Sequence, residues 1–314
     1  MTRLSIEIPA LSTGVLDRRE NLREPERLAA AWPTARVITV SPDGGFRTAA
    51  GIDGLHLVTS PATEFGAEPP GGAVLLGSFD GRDYWALPDP GRAEDAAGGD
   101  GAGSVSGGWA TVRTIGPLLP DDEAALATTA AALLGWHRSA LFCGRCGGLT
   151  EPDLSGHSRI CADGHQEFPR LDPAVIVLVH DAADRVVLAR QPTWAPGRFS
   201  VLAGFTEAGE SLEGTVAREI DEEIGVIVQD VEYLGSQPWP FPRSLMIAFA
   251  ARAPRGAELR PRPGEIDDAR WFSRDELRAL LRDADDGRVT PSGITLPGPV
   301  SIARRMVEAF VHAG

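Results

Sequence analysis

The chain has 314 residues, 43% hydrophobic and 24% charged, with a formal net charge of −14. This supplies apolar material for cores in about two domains and excludes a disordered or fibrous protein. The negative balance opposes broad attraction to nucleic acid or anionic membranes, so an anionic ligand must be held at a local cationic or metal-loaded site. All 30 basic residues are arginine, which excludes a P-loop lysine and a Schiff-base lysine mechanism.

The amino-terminal stretch MTRLSIEIPALSTG lacks the apolar run of a secretory signal, and no window reaches membrane-spanning length. A cytoplasmic protein with no membrane partner is expected. Short apolar runs at 35–40, 55–59, 73–76 and 84–87, separated by Gly and Pro, predict a small β-rich domain. The Gly- and Ala-rich stretch 91–108 reads as a flexible segment. After it, 109–114 is expected to complete the sheet, and 122–138 to form a helix with an acidic start.

Three cysteines, an odd number clustered between Cys143 and Cys161, argue against a disulfide framework and for metal ligation. Cys143-Gly-Arg-Cys146 is a knuckle of the zinc-ribbon kind. Cys161 and His165 complete a three-Cys, one-His set suited to structural Zn²⁺, with His157 as a rival fourth ligand.

An uninterrupted apolar run at 174–179 reads as a buried strand, and a turn at Asp181-Ala-Ala-Asp184 leads to a second run at 186–189. The stretch 204–226, GFTEAGESLEGTVAREIDEEIGV, follows. Glu219, Glu222 and Glu223 stand at i, i+3 and i+4 and share one helix face, while Leu212, Val216, Ile220 and Ile224 form an apolar stripe beside them. Ser211 is placed as the N-cap and Gly225 as a left-handed C-terminal cap. Grouped like charges cost stability, so the pattern calls for a compensating cation, and hard oxygen ligands suit Mg²⁺ or Mn²⁺. Glutamates standing alone would read as a solvated acidic face.

Further strands are expected at 226–231, 245–251 and 269–272, a helix opened by a Ser273/Glu276 capping box, and a last helix over 301–312. Strands mixed with helices in this order give an α/β sandwich. Within this part, SQPWPFPRS at 236–244 sets Trp239 and Phe241 among three prolines, which predicts a rigid stacking wall.

The stretch 204–226 resembles the Nudix box, GX5EX7REUXEEXGU with U apolar, at Gly204, Glu210, Arg218, Glu219, Ile220, Glu222, Glu223, Gly225 and Val226. The array SQPWPFPxS is similar to the one that marks NADH pyrophosphatases within that superfamily. The resemblance extends to the order of parts. It implies an α/β fold: a β-rich α+β N-terminal domain (1–138), a small zinc ribbon (139–169) and a C-terminal Nudix α/β/α sandwich (170–314). One departure is that the family usually has two cysteine pairs, whereas this chain offers His165 near the fourth position.

The implied activity is hydrolysis of the diphosphate of NAD(H) to NMN(H) and AMP by a homodimer using divalent cations. Removal of a 5′ NAD cap from RNA, or a broader nucleoside-diphosphate hydrolase, is the alternative. A binding module with a degenerate Nudix fold is disfavoured by the intact glutamates. The resemblance places metal ligands at Glu219, Glu222 and Glu223, the carbonyl of Ala203, and Glu265 in PGEIDDARWF, with Glu222 or Glu223 assisting deprotonation of water. It places Phe168 and Phe205 in the base or nicotinamide pocket. Substrate contacts are expected along Gln237, Pro238, Trp239, Pro240, Phe241, Pro242, Arg243 and Ser244, from the backbone of Ala303, and from Arg113.

Overall fold

Residues 4–12, 16–89, 108–285, 290 and 292–313 are described by a computed structural model. The stretch 91–108 expected to be flexible lies outside them, except for Gly108. The chain divides into two units: Met1–Ala10 with Asp172–Pro238 and Ser244–Gly314, and Leu11–Leu171 with Trp239–Arg243.

The second of these units carries the expected β-rich sheet. Its strands are β1 (Arg36–Val40), β2 (Gly45–Ala50), β3 (Leu55–Leu57), β4 (Ser60–Pro61), β5 (Val74–Phe79), β6 (Arg82–Pro88) and β7 (Trp109–Thr111), ordered β3-β2-β1-β6-β5 with β4 on β1 and β7 on β2. Helix α1 (Pro25–Ala31) leads into Trp32, which packs edge-on against Trp85 with ring centroids 5.4 Å apart. Together with Leu28, Val37 and Leu75 the two indoles form the core, each fully buried ring worth about 3 kcal/mol.

Two expectations for this unit are corrected. Strand β2 was not foreseen, because GFRTAA has no clean alternation and only its first two residues are buried. The expected strand 109–114 stops at Thr111, and α2 (Val112–Ile115) follows because Val112 and Ile115 both turn inward on one helical turn. Helix α3 (Asp121–Ser139) starts with Asp121, Asp122 and Glu123, favourable charges at a helix N-terminus. The cysteine segment follows as a small antiparallel sheet, β10 (Gln166–Glu167), β9 (Arg159–Cys161) and β8 (Thr150–Pro152).

In the other unit, β11 (Asp172–His180) is the central strand, with antiparallel β12 (Arg185–Arg190) and β13 (Leu202–Phe205). Then come α4 (Leu212–Ile224), β14 (Gln229–Trp239), β15 (Ser244–Arg252), β16 (Asp268–Ser273), α5 (Arg274–Asp285) and α6 (Ile302–His312). The sheet order is β14-β15-β11-β12-β16, and β11 runs parallel to β15. Side chains alternate across β11. Val175, Val177 and Val179 pack with Val216, Ile220 and Ile224 of α4, while Ile176 and Leu178 pack with Leu277 of α5 and Met306 and Phe310 of α6. Helices on both faces make the α/β/α sandwich that the sequence predicted. Leu4 joins the α5/α6 side of this core.

The predicted capping box is present: Glu276 Oε2 accepts from the Ser273 amide at 2.7 Å, and Ser273 Oγ accepts from the Glu276 amide at 3.3 Å. One strand differs from expectation. The run 226–231 is extended only from Gln229, and the strand continues through Pro238. Proline survives there because β14 ends the sheet order, where a missing amide breaks no inner ladder.

Candidate functional site

Helix α4 is set up by local signals. Ser211 Oγ accepts from the Gly214 amide at 3.1 Å, and Gly225 closes the helix at φ 67° in the left-handed region. The helix buries Val216, Ile220 and Ile224 and turns its carboxylates toward β13 and the loop before it. Gly204 on β13 carries no side chain for a steric reason: a Cβ there would lie 1.9 Å from the carboxyl carbon of Glu219.

Arg218 organises this cradle. Its Nε and Nη2 clamp both oxygens of Glu210 at 2.6 and 2.9 Å, Nη1 donates to Glu219 Oε1 at 2.9 Å, and Nη2 reaches the Phe205 carbonyl at 2.9 Å. Hydrogen bonds from Arg218 hold the Glu210 pKa down at about 2. Glu219 behaves oppositely: burial raises its pKa against the pull of Arg218.

Glu223 is the most perturbed carboxylate. Burial, followed by the charges of Glu219 and Glu265, raises its pKa to about 8, and the Ala203 amide donates the one backbone hydrogen bond that opposes the shift. Its Oε2 is sealed from solvent with no hydrogen-bond partner. Glu222, on the exposed side, meets Arg218 at 3.6 Å and Arg262 at 3.4 Å.

Glu265 is brought to this cluster by a turn that the sequence did not reveal. The Arg262 amide donates to the Glu223 carbonyl at 3.0 Å, and Arg262 O accepts from Glu265 N at 3.2 Å, pinning the loop to the end of α4. The Arg262 guanidinium also reaches Glu265 at 3.3 Å. Sequence reading gave Arg262 no role; its only signal was the proline-flanked run RPRPGE around Glu265. A sealed, unpartnered carboxylate oxygen beside two more acidic groups fits a hard divalent cation, which would compensate charges so placed.

Other predicted residues lie as follows. Gln237 is fully buried, its amide donates to the carbonyls of Ala10 at 2.6 Å and Val300 at 2.7 Å, and its oxygen accepts from Ile302 N at 2.7 Å. That side chain holds the fold together and has no polar group left for a ligand. Ala303 is buried and its amide donates to the Ser301 cap at 3.2 Å. Ser244 opens β15 opposite Asp172. Phe205, at the end of β13, is 58% exposed.

In the unit that includes Trp239–Arg243, the Trp239 and Phe241 rings, on either side of Pro240 in sequence, meet edge-on at 5.1 Å, and the Phe241-Pro242 bond is cis. The Arg113 guanidinium lies 4.7 Å from the Phe241 centroid and 5.4 Å from that of Trp239. Arg243 belongs to the same turn, and Phe168 of this unit is 65% exposed. Exposure of both Phe168 and Phe205 sets aside a core role for either.

The cysteine group is also built. Ligand atoms of Cys143, Cys146, Cys161 and His165 lie within 4.8 Å of one another. Cys146 and Cys161 sulfurs are 3.7 Å apart, as are Cys143 Sγ and His165 Nδ1. Those spacings match tetrahedron edges of about 3.8 Å expected from Zn–S bonds of about 2.3 Å. His165, and not the rival His157, lies in this group; His157 Nε2 instead meets the Leu75 carbonyl at 2.7 Å. Beside the ribbon, His137 on α3 bonds the Gly156 carbonyl at 2.8 Å and Arg159 at 2.9 Å.

No helix among the described residues is long and apolar enough to cross a membrane. Residues 170–292 match the NUDIX domain, and 53–136 match the NADH pyrophosphatase-like rudimentary NUDIX domain. The chain is 44% identical to the NAD-capped RNA hydrolase NudC of Mycobacterium tuberculosis H37Rv, over 96% of this chain and 95% of that one. It is 41% identical to the NAD-capped RNA hydrolase NudC of Pseudomonas aeruginosa PAO1, over 65% of this chain and 67% of that one. A NUDIX hydrolase from Nitrosomonas europaea aligns in structure at 21% identity, over 49% of this chain and 96% of its own, with a TM-score of 0.36. Box cradle, rudimentary second domain and full-length similarity converge, and the chain belongs to the NADH pyrophosphatase-like, NAD-capped RNA hydrolase family of Nudix hydrolases.

Proposed function

We propose that the protein hydrolyses the diphosphate bond of NAD(H), and of the NAD cap at the 5′ end of RNA, to NMN(H) and an AMP moiety. The observation that carries this reading is the sealed, unpartnered Oε2 of Glu223 among the charges of Glu219 and Glu265, in a chain so similar to proteins named for the NAD cap. Glu219, Glu222, Glu223 and Glu265, with the Ala203 carbonyl, would hold Mg²⁺ or Mn²⁺. When bound, such ions neutralise the diphosphate and lower the pKa of an attacking water.

The chain's own residues do the rest. Arg218 fixes Glu219 and the entry loop so that the carboxylates need not rearrange during reaction. Glu223 or Glu222, as a carboxylate, takes the proton from water. Trp239 and Phe241 offer ring faces for a base or nicotinamide, steadied by Arg113, and the exposed Phe168 and Phe205 supply further stacking surface. The backbones of Gln237 and Ala303 and the polar groups of Arg243 and Ser244 complete the contacts. Cys143, Cys146, Cys161 and His165 take structural Zn²⁺. The three-part organisation, a cytoplasmic location and a homodimer belong to the same reading.

Release of AMP from NADH and from a 5′-NAD RNA, measured with and without added Mg²⁺ or Mn²⁺, tests it. Metal-dependent cleavage of both is expected. Cleavage of neither, alongside turnover of other nucleoside diphosphates, would replace the reading with that of a broader nucleoside-diphosphate hydrolase.

A further inference from the structure

Glu265 is carried on a turn that is fastened on both sides and plugged in between. On the near side the Arg262 amide donates to the Glu223 carbonyl at 3.0 Å, and the amides of Glu265 and Ile266 return to the Arg262 carbonyl at 3.2 and 3.0 Å. Ile266 is buried in the core that holds Val216, Ile220 and Ile224 of α4. On the far side the Asp267 amide donates to the Arg190 carbonyl at 2.9 Å, next to the point where Arg190 of β12 pairs with Asp268 of β16.

The Arg190 side chain doubles this far anchor. Its Nη1 donates to Asp267 Oδ2 and its Nη2 to the Trp194 carbonyl at 3.1 Å, so one guanidinium joins the segment leaving β12 to the segment entering β16. The side chain is mostly buried, and its Nε is sealed from solvent with no hydrogen-bond partner. That is a costly residue to end a strand whose preceding run, Val186 to Ala189, is apolar and buried. The backbone alone closes the β12–β16 ladder, and an aliphatic side chain would fill the position without stranding a donor. Local rules broken at a cost mark places where the chain is held for a purpose.

What the guanidinium holds is the residue two places after Glu265. The Glu265 carboxylate is oriented by the exposed Arg262 ion pair at 3.3 Å, a contact that fixes little. Its position relative to Glu219 and Glu223, which feel its charge, therefore depends on where the backbone of the turn is set.

We propose that Arg190 is a positioning residue for the metal site: through Asp267 it sets the turn that presents Glu265 to the catalytic ion. The inference rests on Glu265 being a ligand of that ion, as read above.

The test is Mn²⁺ affinity of the full-length, zinc-loaded protein, read from the electron paramagnetic resonance signal of free Mn²⁺ during titration. Arg190→Gln is expected to weaken binding about tenfold, the usual scale for losing a group that orients a ligand. Arg190→Lys, which keeps a charge for Asp267 but not the second donor to Trp194, should recover part of the loss. Asp267→Ala should weaken binding in the same direction; its side chain is half exposed, so it carries the test should Arg190→Gln fail to fold. In a Glu265→Gln background neither change should weaken binding further, because both act through Glu265.

Glu265→Gln that weakens Mn²⁺ binding while Arg190→Gln and Asp267→Ala leave it unchanged overturns the role of Arg190 alone. Equal losses with and without the Glu265 carboxylate also overturn it, since Arg190 would then support the domain at large. Glu265→Gln with the affinity of the parent overturns the reading of Glu265 as a ligand, and the proposal with it.

Discussion

Replacing Glu223 by glutamine removes a carboxylate whose pKa is raised from 4.5 to about 8 by burial and by its acidic neighbours. Below pH 4.5 the group is protonated whether the chain is folded or unfolded, and its ionisation costs nothing. As pH rises toward 8, the unfolded chain ionises while the folded one stays protonated, so stability is lost across that window; above it the loss is complete. The shift sets a ceiling of about 5 kcal/mol on this loss. Glutamine has no charge to strand. In protein stripped of Mg²⁺ and Mn²⁺ but retaining zinc, the variant should therefore unfold above the parent at pH 8.5, by at most about 10–20 °C on conversion at about 2–4 °C per kcal/mol, and together with it near pH 4.5. Thermal unfolding followed by tryptophan fluorescence reads this, taking the transition of the unit that carries α4, since a chain of two units need not melt in one step. Added Mg²⁺ should raise the parent at pH 8.5 and leave the variant unmoved. Parallel curves for both proteins from pH 4.5 to 9 would refute the argument.

Three further outcomes follow from geometry. Gly204→Ala drives a methyl into the space of the Glu219 carboxyl group, so NADH hydrolysis should fall at least about 100-fold, and a crystal structure should show Glu219 displaced. Cys146→Ser should abolish bound zinc by metal analysis and open the segment after α3 to protease, whereas His157→Gln should keep one zinc per chain, because His157 lies outside the ligand group. Gln237→Ala orphans two carbonyls and the Ile302 amide and should cost about 2–4 kcal/mol in denaturant unfolding. A raised KM with unaltered stability would instead make Gln237 a ligand contact.

Features whose causes are local were legible in the sequence. The Ser211 and Gly225 caps, the Ser273/Glu276 box and the i, i+3, i+4 glutamates depend on neighbours within one or two turns, and each appears where the spacing put it. Features whose causes lie elsewhere in the chain were not. Nothing in SQPWPFP shows that Ala10 and Val300 would claim the side-chain amide of Gln237. Arg262 went unread because its importance comes from a backbone bond to the far end of α4. Strand β14 was expected to end before its prolines; its place at the end of the sheet order, which periodicity does not encode, is what lets it run through Pro238. The short helix at Val112–Ile115 is held by burial rather than propensity, so a pattern of apolar residues read as extended chain was misassigned.

The burial of Leu4 beside Met306 and Phe310 has a bearing on assembly order. These residues come from near opposite ends of the sequence, and β11 must also wait for β15 before its parallel ladder can form. During synthesis, the sheet face that receives α6 stays uncovered until α6 itself has emerged, and such long-range closure is slow. A bulky fusion placed against Leu4 should therefore lower the yield of active hydrolase through its folding.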